Sequence, residues 1–344
     1  MSRKQKWGAK EEKKVNKVMK RDWKDFASCN SIWGVLIVLV AILSIARPAF
    51  LSSANLKGLL EGESIKGIMA FGVMWAILAK GIDLGLGAVA ALVSVMVASF
   101  VQPAELATRM IPGGVQLPAW AAIIIGILIG AVIGLIVGSV IAYTHIPPFI
   151  ATLGSQLICR ALSKMYSAAP VSNLPDDFRW IAKGKLFNVI PMIVVVFVIM
   201  FIVSAFLLTQ TRFGKNIFAI GGNDQAARVA GISVERNLIR VYVWCSVCAA
   251  IGGILLAART GSSDPSTTGL NYELDAIAAA TVGGTSHTGG ICRVSGVLCG
   301  ILILGVINNG LVMLGVNDNL TNIIKGVIIV GAVAFDMRKN TRKV

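Results

Sequence analysis

The chain has 344 residues, 56% of them hydrophobic and only 14% charged. That ratio excludes an ordinary soluble domain, whose surface needs more charge to stay dispersed. The net charge of +15 does not point to nucleic acid, because the basic residues are grouped beside apolar runs and form no basic–aromatic pattern.

Ten of the 32 Lys/Arg lie in the first 25 residues, with no apolar core and no cleavage pattern of a removable signal peptide. Residues 1–30 read as a basic cytoplasmic leader. Its Lys13, Lys14, Lys17, Lys20, Arg21 and Lys24 either line one side of a helix resting on anionic headgroups or belong to a basic tail that fixes orientation. Residues 31–338 read as a transmembrane domain and 339–344 as a cytoplasmic tail. The fold class is all-α, a polytopic helix bundle of about ten spans. They are predicted at 31–47, 65–80, 84–101, 119–143, 149–165, 188–209, 238–258, 273–284, 293–315 and 320–337. Most approach the roughly 17–25 residues that cross a hydrocarbon core; 273–284 is short.

Along the chain, Arg47-Pro48 ends the first span. Gly81-Ile82-Asp83-Leu84-Gly85-Leu86-Gly87 then separates two apolar segments with glycine and a carboxylate. A second interruption runs from Gly283 to Gly290 and carries Gly284, Thr285, Ser286, His287 and Thr288. Non-helical backbone at membrane depth must line a cavity or be buried in protein, and broken helices of this kind often form translocation sites. Plain turns at the membrane surface are the equal alternative. Residues 72–92 and 276–300 share this pattern, which suggests a weak internal duplication.

Gly126, Gly130, Gly134 and Gly138 put a small-residue groove along one face of the fourth span, which predicts close helix packing. Residues 102–118 and 165–189 read as external loops, either solvated or docking a periplasmic partner. The segment between the sixth and seventh spans is the best candidate site. Asn223 is a good N-cap, Asp224 suits the first turn, Ala226 to Ala230 favours helix and Gly231 is a suitable stop. A helix of about two turns follows, either fitted to a groove on a cytoplasmic partner or lying on the bilayer.

Charges assigned to spans are Asp83, Arg160, Asp275 and Lys325. They form no chain of buried carboxylates such as an ion-coupled carrier uses. Asn308 and Asn309 are uncharged hydrogen-bonders, more readily interhelical contacts than ligands of a polar substrate. Of six cysteines, Cys245 and Cys248 have CxxC spacing, but without a second pair or a nearby histidine they read as small apolar residues. Ten crossings put both termini on one side. With that side cytoplasmic, 21 of the 32 Lys/Arg face inward, as the positive-inside rule requires.

Four segments carry a resemblance: "GIDLGLGAVAAL" (81–92), "PPFIATLG" (147–154), "TRFGKNIFAIGGNDQAARVAGI" (211–232) and "NYELDAIAAATVGGTSHTGG" (271–290). They resemble the permease subunits of bacterial monosaccharide ABC importers of the ribose, xylose, arabinose and galactose type. The galactose/methyl-galactoside kind is nearest through "RFGKNIFAIGGN" and "YELDAIAA". The resemblance runs colinearly over roughly residues 30–338. It departs from the family at Gly85-Leu86, within the pattern GxDLSxG, at His287 and in the long basic leader.

The resemblance implies a second permease copy, a cytoplasmic ATPase pair that binds the ATP, and a periplasmic sugar-binding protein. It places the ATPase-docking loop at Arg212, Gly214, Lys215, Gly221, Gly222, Asn223, Ala226, Arg228 and Gly231. Candidate residues of the translocation path are Asp83, Gly85, Asp275, Gly283, Gly284, Thr285, Ser286, Asn308 and Asn309. The chain carries no GxxxxGKS/T phosphate loop, and no catalytic, metal or cofactor residues of its own are expected. An ion-coupled secondary sugar carrier is the alternative.

Overall fold

Pro48 stops the first helix, α1 (Ile32–Ala46), by starting a short 3-10 turn over Pro48–Leu51. Ser52 then caps the next helix, its hydroxyl accepting from the Asn55 N–H at 3.3 Å. This is α2, Ser53–Leu78, about 39 Å long at 1.5 Å per residue. It begins well before the residue 65 expected. Lys57, Glu61, Glu63 and Lys66 lower the hydropathy of its first half, and three of them pair in space: Lys66 with Glu63 at 3.4 Å, and Glu61 with Arg259 at 3.9 Å. Lys66 therefore lies inside a long helix and belongs with the interior charges, not with the loops.

The computed structural model describes residues 32–106, 109–111, 114 and 116–341; the basic leader and Cys29 lie outside them. After α2 come α3 (Leu86–Val101), α4 (Ala119–Thr144), α5 (Pro148–Tyr166) and α6 (Asp176–Lys183). A small antiparallel pair follows, β1 (Lys185–Leu186) with β2 (Ile190–Pro191). The remaining helices are α7 (Met192–Gln210), α8 (Arg212–Gly222), α9 (Asp224–Val229), α10 (Val234–Thr260), α11 (Tyr272–Val282), α12 (Val294–Met313) and α13 (Asp318–Thr341). The protein is an all-α bundle.

The core gathers around α10, which packs on α4, α3 and α2. The glycine groove of α4 makes this possible. A Cβ on Gly134 would lie 2.5 Å from the Tyr242 carbonyl oxygen, and one on Gly130 would lie 2.6 Å from the Ala250 methyl. Backbone therefore meets backbone, the arrangement that gains most from van der Waals contact where lipid offers no hydrophobic drive. Cys245 and Cys248 are buried and free in the same core, and the Cys245 thiol donates to the Gly72 carbonyl at 3.2 Å.

Among the described residues, five helices are long and apolar enough to cross a membrane: α4, α7, α10, α12 and the greater part of α13. At 11 residues, α11 rises about 16 Å, too little for a hydrocarbon core of roughly 30 Å. The segment expected as an eighth span is a half-length helix entered through a turn-rich stretch at 261–271. Both interruptions share one arrangement: a helix, a glycine-rich break, then a buried helix.

Candidate functional site

Three segments converge at one end of the bundle. Thr211 caps α8, accepting from the Gly214 N–H at 3.2 Å, and the chain doubles back so tightly that a Cβ on Gly214 would sit 2.1 Å from the Leu208 carbonyl oxygen. The far end of α8 lies on the first interruption. A Cβ on Gly221 would lie 1.9 Å from the Leu78 carbonyl oxygen and 2.5 Å from the Gly290 nitrogen. Gly290 donates its N–H to Leu78 O at 3.0 Å, and the Lys80 ammonium donates to Gly222 O at 3.3 Å. Gly289 and Gly290 hold φ of +82° and +70°, a region glycine enters without steric penalty. The Trp75 and Phe213 rings stack at 4.9 Å. The break after α2, the end of α8 and the second interruption thus form one junction, made largely of backbone.

The next helix projects from this junction. Asn223 Oδ1 accepts from the Ala226 N–H at 3.0 Å, and Gly231, at φ +81°, ends the turn that follows α9. Ala226, Arg228 and Ala230 are exposed and Ala227 is buried; Val229 is 92% exposed. The Arg228 guanidinium donates to Glu235 at the start of α10. The cap and stop lie where the sequence puts them. The helix before them, α8, was expected as loop.

The second interruption is tied to α13. Ser286 Oγ donates to Asp336 Oδ2 at 2.9 Å and the His287 N–H donates to the same oxygen at 3.1 Å. Thr285 is fully buried, its hydroxyl 3.3 Å from Cys292 Sγ. Gly283 sits 2.6 Å, by its would-be Cβ, from the Gly296 carbonyl of α12, whereas Gly284 at φ +88° has open space around it.

Deeper in the bundle lies a polar layer. Asp83 is buried, its Oδ1 accepting from the Gly85 N–H at 2.8 Å. Gln156 Nε2 donates to Glu273 Oε1 at 3.2 Å, while Glu273 Oε2 is buried without a hydrogen bond. Arg160 holds the turns of the 261–271 stretch by donating to Thr268 O at 2.8 Å and Pro265 O at 3.3 Å. Gly87 closes the layer, with room for no side chain between α3 and Glu273.

A separate ionic cluster joins three helices. Asp275 lies 3.0 Å from Lys66 and 3.2 Å from Lys325, Lys66 is 3.4 Å from Glu63, and its ammonium stands 5.6 Å from the Tyr272 ring centre. Asn309 is remote from all of these. It exchanges two amide hydrogen bonds of 2.9 Å with Asn55 at the opposite end of the bundle. Asn308 Oδ1 is buried with no hydrogen bond.

The expected path residues therefore occupy four places, not one. Besides Asp83 and Asp275, which the sequence assigns to spans, the interior holds two further carboxylates, Glu63 and Glu273. Glu63 lies before residue 65, where the sequence predicts the second span to start, and Glu273 stands at the edge of the short 273–284 segment. Gln156, a lone amide in an apolar helix, was the available signal for the polar layer, and it was missed.

A family model described as "Branched-chain amino acid transport system / permease component" matches residues 57–333. The chain belongs to this family of transport permeases: it is a multi-pass membrane protein and a transport component, not an enzyme. It is 41% identical to the galactose/methyl galactoside import permease protein MglC of Salmonella typhimurium (strain LT2), over 91% of this chain and 95% of that protein. It is 40% identical to the protein of the same name from Escherichia coli (strain K12), over 94% and 98%. With the ribose import permease protein RbsC of Bacillus subtilis (strain 168) the identity is 41%, over 89% and 91%. No solved structure gives a significant match.

Proposed function

We propose that this chain is the permease subunit of a binding-protein-dependent ABC importer, carrying a monosaccharide of the galactose/methyl-galactoside or ribose kind inward. A separate cytoplasmic subunit hydrolyses the ATP, a periplasmic protein delivers the sugar, and two permease copies form the pathway. The names of the relatives support the substrate class. The observation that carries the coupling is the backbone junction of α8 with both interruptions. In this reading the ATPase engages the exposed Arg212, Lys215, Gly222, Asn223, Ala226, Arg228 and Gly231, while Gly214 and Gly221, expected in the same docking loop, are buried against the bundle and pass the motion on. Force applied to α9 reaches the breaks at 78–87 and 283–290 without passing through flexible side chains.

Nucleotide-driven closure of the ATPase pair then biases the bundle between outward-open and inward-open states. The bias comes from the partners' different affinities for those states. Both termini are cytoplasmic in this arrangement, as the distribution of basic residues indicates. The second reading, an ion-coupled carrier, is favoured by Asp83 and the half-partnered Glu273. It is opposed by Asp275, whose charge two lysines neutralise.

Uptake in proteoliposomes separates the two. The chain, reconstituted with its ATPase and binding protein, is expected to accumulate labelled galactose, methyl galactoside or ribose only with ATP on the cytoplasmic side. Gly221→Ala, which forces a methyl group into the Leu78 carbonyl, is expected to lower uptake at least tenfold while the ATPase still co-purifies. Accumulation by the chain alone, driven by a sodium or proton gradient without ATP, overturns the proposal.

A further inference from the structure

The segment between α6 and α7 ends in an exposed apolar tip. Leu186, Val189 and Ile190 of the β1–β2 hairpin are exposed, Phe187 is 86% exposed, and the Trp180 ring on α6 is 55% exposed. Phe187 and Asn188 hold φ of +52° and +57°, and the Val189 N–H closes the turn on Leu186 O at 3.1 Å. Asparagine suits such a corner. A bulky ring there is sterically unfavourable and, facing water, gains nothing in return. The hairpin is nevertheless built in firmly. Gly184 donates its N–H to Trp180 O at 2.8 Å and accepts from the Met192 N–H at 2.7 Å, while Phe178 and Ala182 bury the other face of α6.

The membrane fixes the height of this tip. None of the 19 residues of α7 is charged. The helix rises about 28 Å, against roughly 30 Å of hydrocarbon, so it has no turn to spare and its first residue stands at the hydrocarbon boundary. The hairpin joins α7 directly through Pro191. At about 3.3 Å per residue the tip lies within roughly 13 Å of that boundary, in or just above a headgroup layer of roughly 5–8 Å. Most of the apolar stretch of α7 is unburied, so lipid borders the foot of the hairpin.

The composition of the tip selects the same neighbour. A transient protein interface is about as polar as the rest of a protein surface, but Asn188 is the one polar residue from Leu186 to Ile190. Lys183 and Lys185, both exposed, precede the tip. Their long side chains can reach headgroup phosphates while their stems cover apolar surface.

We propose that the β1–β2 tip and Trp180 form an interfacial anchor embedded in the headgroup layer of the bilayer. Phe187 and Val189 meet the upper acyl chains, and Lys183 and Lys185 lie among the phosphates. The partner is lipid, and the anchor sets the height and tilt at which α7 enters the membrane. It acts whatever the cargo or the energy source, so its failure and that of the transport proposal are separable.

The test uses the full-length protein in nanodiscs of phosphatidylcholine and phosphatidylglycerol. Cys29→Ser removes one thiol, and the other five cysteines are buried. A nitroxide is placed on Val189→Cys, which leaves Phe187 intact, or on Phe187→Cys where the first variant fails to fold. Its collisions with oxygen, which partitions into lipid, are compared with those of a water-soluble nickel chelate. Ile202→Cys on the exposed side of α7 and Asp176→Cys, at an almost wholly exposed side chain, supply the lipid and water references. The oxygen-to-nickel ratio at the tip is expected to be at least threefold that at residue 176 and to approach that at 202. A smaller ratio overturns the proposal, because the tip then stands in water, and nickel protection on adding a periplasmic sugar-binding protein would assign it to that partner instead. Protection from both agents also overturns it, since protein then covers the tip.

Discussion

The helices α10 and α13 are both apolar enough to cross a membrane, yet 78% of the apolar stretch of α10 is buried and only 6% of that of α13. They are held by different means. Backbone-to-backbone contact secures α10, through the glycines of α4 and through Gly253, whose would-be Cβ lies 2.2 Å from the Ala90 carbonyl. Polar groups fasten α13: Lys325 to Asp275, and Asp336 to the second interruption. Packing of the first kind is lost over its whole length or not at all. Polar fastenings are local and directional, and with Ile328 and Ile329 of α13 reaching the core, less packing opposes a shift of α13 than one of α10.

This contrast predicts a graded series of stability effects, measured by thermal or denaturant unfolding of the purified protein in one detergent. The largest follows Gly134→Val, which drives a branched side chain into the α10 backbone. Overpacking typically costs about 1–3 kcal/mol and occasionally more; the obstacle here is backbone, so the upper end is expected and recovery of folded protein should fall sharply. Asp275→Asn comes next, because it removes the shared partner of Lys66 and Lys325. Breaking a fully buried pair costs about 3–5 kcal/mol. Here both lysines keep some solvent access, at 18% and 23% side-chain exposure, and Lys66 keeps Glu63, so about 2 kcal/mol is expected. Lys325→Met should cost less than Asp275→Asn, and equality of the two would mean that Lys66 contributes nothing to holding Asp275.

Smaller still is Asn309→Ala, which leaves Asn55 without its reciprocal amide. Interhelical hydrogen bonds in membranes average about 0.6 kcal/mol in double-mutant cycles, and the Asn55/Asn309 cycle should give a value near that. The smallest effect belongs to Gly331→Ala on α13, where a Cβ meets nothing within 4 Å. A shift within about 0.5 kcal/mol is expected. A loss like that of Gly134→Val would show that α13 is packed after all.

What the sequence disclosed follows the same division between local and distant causes. The Asn223 cap and the Gly231 stop depend on a few neighbouring residues, and both lie where local chemistry puts them. The α4 groove was legible because the four-residue glycine spacing is itself the packing surface. By contrast α8 carries Gly214, Gly221 and Gly222, a composition that argues against helix, and it is supported by contacts with Leu78, Trp75 and Gly290 far away in the chain. The early start of α2 was hidden for a related reason. Its charges look like loop until Asp275 and Arg259 arrive from the other end of the sequence. The polar layer of Asp83, Gln156, Arg160 and Glu273 is assembled from three separate segments, and no spacing rule joins them.

The meeting of Gly221, Leu78 and Gly290 uses almost no side-chain identity beyond the requirement that there be none. A linkage of that kind is indifferent to what lines the route through the bundle. Residues facing a cargo can diverge from one permease to the next while the transmission beneath them stays interchangeable, so recognition and drive are free to evolve on separate schedules. Transplanting the 78–87, 211–232 and 283–290 segments together, as one cassette, should therefore preserve coupling where exchanging any one of them alone breaks it.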